Sequence, residues 1–220
     1  MRTIAKLHFL VGLALLLGQA ASDPEPLQDY CIANTVGPQS IHMNGPSCID
    51  PRLASPSHFA TSALSKSGNT NTTPFGFNII LTNSSNLPGF NTQGLTMARL
   101  DISPDGLVPP HSHPRASEVT ICLKGELLVG FVDTTNRLYA QRLRPGESFV
   151  FPKGLIHFIY NLSPAHSAVA VSGLNSQNPG AQLMAVAAFI SSPPLPDEVL
   201  EKAFKIHGQD VARIRRNLEG

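Results

Sequence analysis

The chain has 220 residues, enough for one domain with a sizeable core, and 42% of them are apolar, as in an ordinary globular protein. Charged residues make up only 14% and the formal net charge is +1, which excludes an electrostatic grip on nucleic acid or on an anionic membrane surface.

In chain order, the first predicted element is a secretory signal over residues 1–22, removed on maturation. Arg2 and Lys6 supply its positive region, residues 7–17 its apolar stretch, and residues 18–22 a cleavage zone of small residues. The apolar run is too short to span a bilayer and no later segment is longer, so the mature chain is expected to be soluble and secreted, with no membrane span.

Residues 23–74 read as an N-terminal arm. In it Cys31 and Cys48 flank IANTVGPQSIHMNGPS, a Gly/Pro-rich loop with little apolar material to hold it. In an oxidising compartment a disulfide closing that loop would contribute about 3 kcal/mol in the chain-entropy model. Cys122, inside the apolar run VTICL, is expected to be a buried free thiol of little reactivity. Residues 53–75 are rich in Ser, Thr and Asn and predict a loose connection with a short helical turn. Three N-x-Ser/Thr sequons begin at Asn71, Asn83 and Asn161. The first two lie in polar, turn-like stretches and are the expected N-glycosylation sites, whereas Asn161 is expected to be folded in.

Strand-like runs follow at 75–82, 95–101, 118–123, 126–131, 137–143, 148–151, 157–162, 168–174 and 183–190, bounded by Gly, Pro, Asn and Asp. Many short strands at near-regular spacing predict a mainly β fold, an antiparallel sandwich or barrel over 75–192. Pro193, Pro194 and Pro196 stop the sheet, and residues 193–220 change to helical period. Val199, Leu200, Ala203, Phe204 and Ile206 line one amphipathic helix, Gly208 breaks it, and Val211, Ile214 and Leu218 begin another. Arg213, Arg215 and Arg216 read as a solvated helix face. Helices this short need a surface on which to bury their apolar stripes, and a second subunit would provide one.

The chemistry-bearing residues are His111, His113 and Glu118 in PPHSHPRASEVTICLKGELLVGF, with His157 in FPKGLIHFIYN. Two imidazoles one residue apart share a face of a β-strand, and Pro114 then favours a turn that lets Glu118 open the next strand. A His-x-His by itself is commonly two solvated histidines. The second segment adds weight, because Gly146, Pro152, Gly154, His157 and Asn161 make a strand–turn–strand pattern whose histidine emerges just after the turn. Three imidazoles and one carboxylate, with no thiolate, form a borderline-to-hard metal site that leaves positions open for water or substrate. Ligand softness admits zinc and iron, and the carboxylate favours manganese or iron.

These two segments resemble the paired motifs of the cupin superfamily. PPHSHPRASE, KGELLVGF, FPKGLIHF and NSQNPG are similar to the wording of plant germin-like proteins, a resemblance that covers essentially the whole chain from DPEPLQDYC onward. It implies a single cupin-type jelly roll with a C-terminal helical extension, and metal ligands at His111, His113, Glu118 and His157. It further implies Mn2+ as the resident ion, with Zn2+ or Fe2+ as rivals, and a homo-hexamer built as a trimer of dimers in which the terminal helices clasp a neighbour. Asp105 before Gly106 stands where many members have Gly-Gly. The family setting is the apoplast and cell wall, with a role in plant defence and contact with the wall matrix.

Two activities recur in that family, oxalate oxidation and superoxide dismutation. For the first, asparagines beside the metal are thought to anchor the dianion; Asn91 in GFNTQG keeps one, and Val108, three residues before His111, stands in place of the other. An apolar side chain cannot hydrogen-bond a carboxylate, so oxalate oxidase activity is not expected and superoxide dismutase activity is. The alternative is a non-enzymatic extracellular structural or receptor glycoprotein. Hydrolysis of nucleotide sugars would need a phosphate-binding P-loop or Arg cluster, which the sequence does not place near the ligands.

Overall fold

A computed structural model describes residues 28–36 and 45–219. The expected signal over 1–22 lies outside them, and among the described residues no helix is long and apolar enough to cross a membrane. Among the described residues, ten strands form two antiparallel five-stranded sheets: β1 (Phe77–Leu81), β2 (Thr96–Ile102), β3 (Leu107–Ser112), β4 (Glu118–Lys124), β5 (Leu127–Val132), β6 (Leu138–Leu143), β7 (Ser148–Phe151), β8 (Ile156–Asn161), β9 (Ala168–Leu174) and β10 (Gln182–Leu183). One sheet runs β1-β2-β9-β4-β7 and the other β10-β3-β8-β5-β6, a mainly β jelly roll of the cupin kind.

Alternation along the strands builds the core. Leu100 and Ile102 of β2, Cys122 of β4, Leu127 and Val129 of β5, Phe151 of β7, Ile159 of β8 and Ala168 and Ala170 of β9 all face the space between the sheets. Cys122 is a fully buried free thiol there, and burial pushes its pKa up. Cys31 and Cys48 are joined by a disulfide. The connection after it contains several short 3-10 turns, among them Pro56–Phe59, Ala63–Ser65 and Thr70–Thr72.

Three sequence expectations change. Residues 183–190 are not a strand. Only Gln182–Leu183 pair, with Ser112 and His111 of β3, and the chain then turns into α1 (Met184–Phe189). The run MAVAAF is apolar but half Ala, the best helix former, and a short apolar run carries no period that separates strand from helix. The break between the terminal helices, α2 (Asp197–Phe204) and α3 (Gly208–Glu219), is at Lys205, which adopts the left-handed conformation at φ 55°. Gly208 opens the second helix instead. Arg215 is not a solvated residue either: its guanidinium donates to the Phe189 and Leu195 carbonyls and to the Asp197 carboxylate, tying α1 to α2.

The apolar stripes of α1, α2 and α3 cover one another. Phe189, Leu200 and Val211 are buried together, flanked by Ile190, Ile206, Ile214 and Leu218, in a cluster separate from the barrel core.

Candidate metal centre

His111, on β3, stands directly opposite His157, on β8, in the same sheet. The Val108–His111 register is irregular, where Pro109 and Pro110 cannot donate to the ladder. His113 lies one residue beyond the end of β3, so the two early histidines are not alternate residues of one unbroken strand. The turn at Pro114 then carries the chain to the facing sheet, where Glu118 opens β4 and looks back at the histidines. The odd spacing of the carboxylate is thereby resolved by a change of sheet.

The four side chains converge between the sheets, each offering a donor atom, all within 4.8 Å of one another. Glu118 Oε2 is 3.0 Å from His113 Nε2 and 3.4 Å from His157 Nε2. Every imidazole uses Nδ1 on a backbone carbonyl: His111 on Pro109 at 2.8 Å, His157 on Leu155 at 2.9 Å, and His113 on Gly180. Those bonds fix the Nδ1–H tautomer and leave each Nε2 lone pair for the centre. His157 Nε2 is buried and has no hydrogen-bond partner. On the carboxylate side, Thr120 Oγ1 donates to Glu118 Oε1 at 2.8 Å and shares a 2.7 Å hydrogen bond with Ser172. Phe151 stacks on the His157 ring at 4.4 Å between centroids.

The electrostatics suit a cation. Burial and the neighbouring His157 push His111 down to about 4, keeping it a neutral donor. Burial would raise Glu118, but the adjacent His113 and His157 imidazoles, with Ser172 behind, hold it well below the usual carboxylate range. His113 is lowered by burial and raised more by Glu118 and the Gly180 carbonyl, so it ends above its ordinary value. Adjacent donors on an octahedral ion with bonds of about 2.1 Å lie ~3.0 Å apart, close to the His113–Glu118 spacing. An orphaned buried nitrogen, three fixed tautomers and one ionised carboxylate fit a single divalent ion.

The centre opens into a cavity of about 380 Å³ whose wall includes Leu81, Leu100, Val108, Ile159, Leu174 and Pro179. Val108 is buried on that wall. Asn91 is not on it. That side chain lines a neighbouring cavity of about 250 Å³, and its Nδ2 donates to Cys31 Sγ at 3.1 Å and to the Pro46 carbonyl at 2.8 Å. Asn83, Gln177 and Asn178 border both cavities. Asn71 and Asn83 are exposed, whereas Asn161 is fully buried with its Nδ2 donating to the Ser103 and His166 carbonyls. The residues that orient the ligands, Thr120, Ser172 and Gly180, escaped sequence reasoning. Thr120 carried one signal, its place two residues after Glu118 on the same strand face; NSQNPG, which holds Gly180, served only as family wording.

A cupin family pattern matches residues 62–212. The chain is 60% identical to germin-like protein subfamily 1 member 1 of Arabidopsis thaliana, over 97% of this chain and 99% of the relative. It is 54% identical to germin-like protein 3-1 of Oryza sativa subsp. japonica, over the whole of both. The chain belongs to the germin-like cupins. Among solved structures, an oxalate oxidase in complex with the substrate analogue glycolate superimposes with a TM-score of 0.83 at 40% identity, covering 89% of this chain and 98% of that one. Peruvianin-I, a cysteine peptidase from Thevetia peruviana latex, matches at a TM-score of 0.68 and 37% identity, over 74% and 98%. This germin-like chain offers no comparable nucleophile among its cysteines: two form the disulfide and the third is buried.

Proposed function

We infer that the chain is a secreted, manganese-binding glycoprotein of the plant apoplast and cell wall, active in defence as a superoxide dismutase and deficient in oxalate oxidation. The observation that carries the metal reading is the convergence of three tautomer-fixed Nε2 atoms on one buried carboxylate. Manganese is favoured over zinc and iron because the donor set mixes imidazole with a hard carboxylate and the family resemblance points the same way. His111, His113, Glu118 and His157 would hold the ion, which would supply the one-electron redox couple needed to convert two superoxides and two protons to oxygen and hydrogen peroxide.

The residues of the chain set the conditions for that cycle. The Nδ1 protons stay on the rings, hydrogen-bonded to backbone carbonyls, so the imidazoles do not supply the protons consumed and these enter from solvent through the cavity mouth. Glu118, ionised and steadied by Thr120, balances part of the positive charge. A small anion needs no further anchor. Oxalate does, and the wall gives it little. Val108 is apolar, and the Asn91 amide nitrogen is spent on Cys31 and Pro46 in the adjacent cavity. Each hydrogen bond to a charged group left unmade costs about 1.5–3 kcal/mol, or roughly one to two decades in rate if felt in the transition state.

The test uses manganese-loaded protein from a secreting host, assayed in parallel with superoxide and oxalate. Superoxide turnover with little oxalate turnover is expected, and Val108→Asn is expected to raise the oxalate rate at least tenfold. Robust oxalate oxidation by the unmodified chain overturns the assignment, and absence of both activities leaves the non-enzymatic glycoprotein as the function. Glycans on Asn71 and Asn83, read by peptide mass spectrometry, would support secretion.

Assembly into a hexamer is part of the same reading. On the outer face of the first sheet Met97, Gly173, Val119 and Val150 lie side by side across β2, β9, β4 and β7. Met97, Val119 and Val150 are 43%, 46% and 57% exposed, an apolar row of the sort that a second copy covers.

A further inference from the structure

Two of the three candidate metal histidines are oriented by carbonyls only two residues away in the chain. His111 and His157 each donate Nδ1–H to the carbonyl two residues earlier, Pro109 and Leu155. His113 differs. Its partner is the carbonyl of Gly180, far along the chain in the segment that follows β9. Whatever holds Gly180 therefore sets the third imidazole.

On its far side Gly180 is steadied by β10, which pairs with β3. On its near side the holder is Arg115, in the turn between His113 and Glu118. The Arg115 Nε donates to the Asn178 carbonyl at 2.6 Å, Nη2 donates to Asn178 Oδ1 at 2.9 Å, and the Arg115 backbone N–H donates to the Pro179 carbonyl at 3.1 Å. A forked guanidinium thus grips both oxygens of one asparagine, a geometry that an ammonium cannot reproduce. Gly180 lies against it: at φ +71° it is in the left-handed region, and a Cβ there would come within 2.9 Å of Arg115 Nη2. Ser117 completes the lacing by donating its N–H to Asn175 Oδ1 at 2.7 Å.

We propose that Arg115 is a positioning residue of the metal centre: by clamping Asn178 it holds the Gly180 carbonyl where it fixes His113 as the Nδ1–H tautomer, with Nε2 turned to Glu118. The inference rests on the metal reading above and assigns to a surface arginine the orientation of one ligand. Groups that orient metal ligands from behind typically govern metal affinity by 10- to 100-fold. The sign of the effect separates positioning from charge. A guanidinium close to a divalent cation repels it, so removing the charge alone would tighten binding, whereas removing the clamp loosens it.

The experiment measures Mn2+ and Zn2+ affinity of the full secreted chain by equilibrium dialysis, together with the 15N spectrum of the histidines in metal-free protein at alkaline pH, where His113 is neutral. Arg115→Ala is expected to raise the dissociation constants 10- to 100-fold and to convert His113 from one tautomer to a mixture, with the melting temperature of the metal-free protein unchanged. Arg115→Lys is expected to recover only a small part, and Gly180→Ala to weaken binding in the same direction by displacing the guanidinium. Unchanged or tighter binding by Arg115→Ala overturns the proposal while leaving the metal centre standing, as does full recovery by Arg115→Lys. Failure of the unmodified chain to bind either ion removes the metal reading and this inference with it. If Arg115→Ala does not fold, Arg115→Lys and Gly180→Ala decide, and wild-type affinity in both overturns it.

Discussion

At the scale of single residues, the centre is a set of polar groups each held by a hydrogen bond on one side and turned to the centre on the other. His157 is the clearest case, with Nδ1 satisfied by Leu155, the ring stacked on Phe151, and Nε2 left for an ion. His157→Ala is expected to abolish metal retention while the far-UV circular dichroism stays that of the parent, since β8 keeps its backbone pairs with β3 and β5. A variant that still carries a full complement of metal by elemental analysis would refute the ligand assignment. Acid should act through the same groups. His111 sits at about 4 in the fold against 6.5 for a free imidazole. Between those values the unfolded chain binds a proton that the fold refuses, so metal-free protein loses stability as pH falls, by up to about 3 kcal/mol. Glu118, depressed in the fold, contributes stability above its unfolded value of ~4.3 that is lost at still lower pH. His113 works oppositely: its raised value adds stability below 6.5 that disappears as pH rises through its folded value. Urea midpoints of metal-free protein should therefore drop steadily from pH 6 to pH 4, and a flat profile would contradict this.

At the scale of elements, the period-two strands were legible because one face of each is apolar, and eight of the expected runs correspond to strands within a residue or two at either end. What misled was residues 183–190, where apolar content without a period conceals a helix. The terminal helices were legible from their stripes, but not what those stripes meet. Phe189, Leu200 and Val211 form a small core of their own, and Arg215 ties its elements together. Leu200→Ala should then cost about 2–5 kcal/mol locally. Hydrogen exchange is expected to accelerate in α2 and α3 while protection of the barrel strands is unchanged, and loss of protection throughout would show that the two cores are one cooperative unit.

At the scale of the whole molecule, the outer row Met97–Val119–Val150 and the partly exposed Val199 and Phe204 of α2 are apolar surface that a lone barrel leaves in water. A second copy covering them is the expected arrangement. Val119→Lys with Val150→Lys, and separately removal of residues 196–220, should each lower the assembly mass seen by light scattering. The lysine variant should keep parental circular dichroism, because both side chains point away from the core. Full oligomeric mass in both would place the contacts elsewhere.

The sequence by itself determined the class of fold and the family, and it singled out the four side chains that the structure brings together, because periodicity, turn residues and the two motifs are local properties. It also identified Val108 as wall and Asn161 as interior. The tertiary structure alone decided that Glu118 faces the histidines from the opposite sheet and that His113 depends on Gly180. It alone placed Asn91 in a separate cavity, held by the disulfide loop. Those facts depend on which strands become neighbours and on hydrogen bonds between residues far apart in the chain, and no window along the sequence contains both partners.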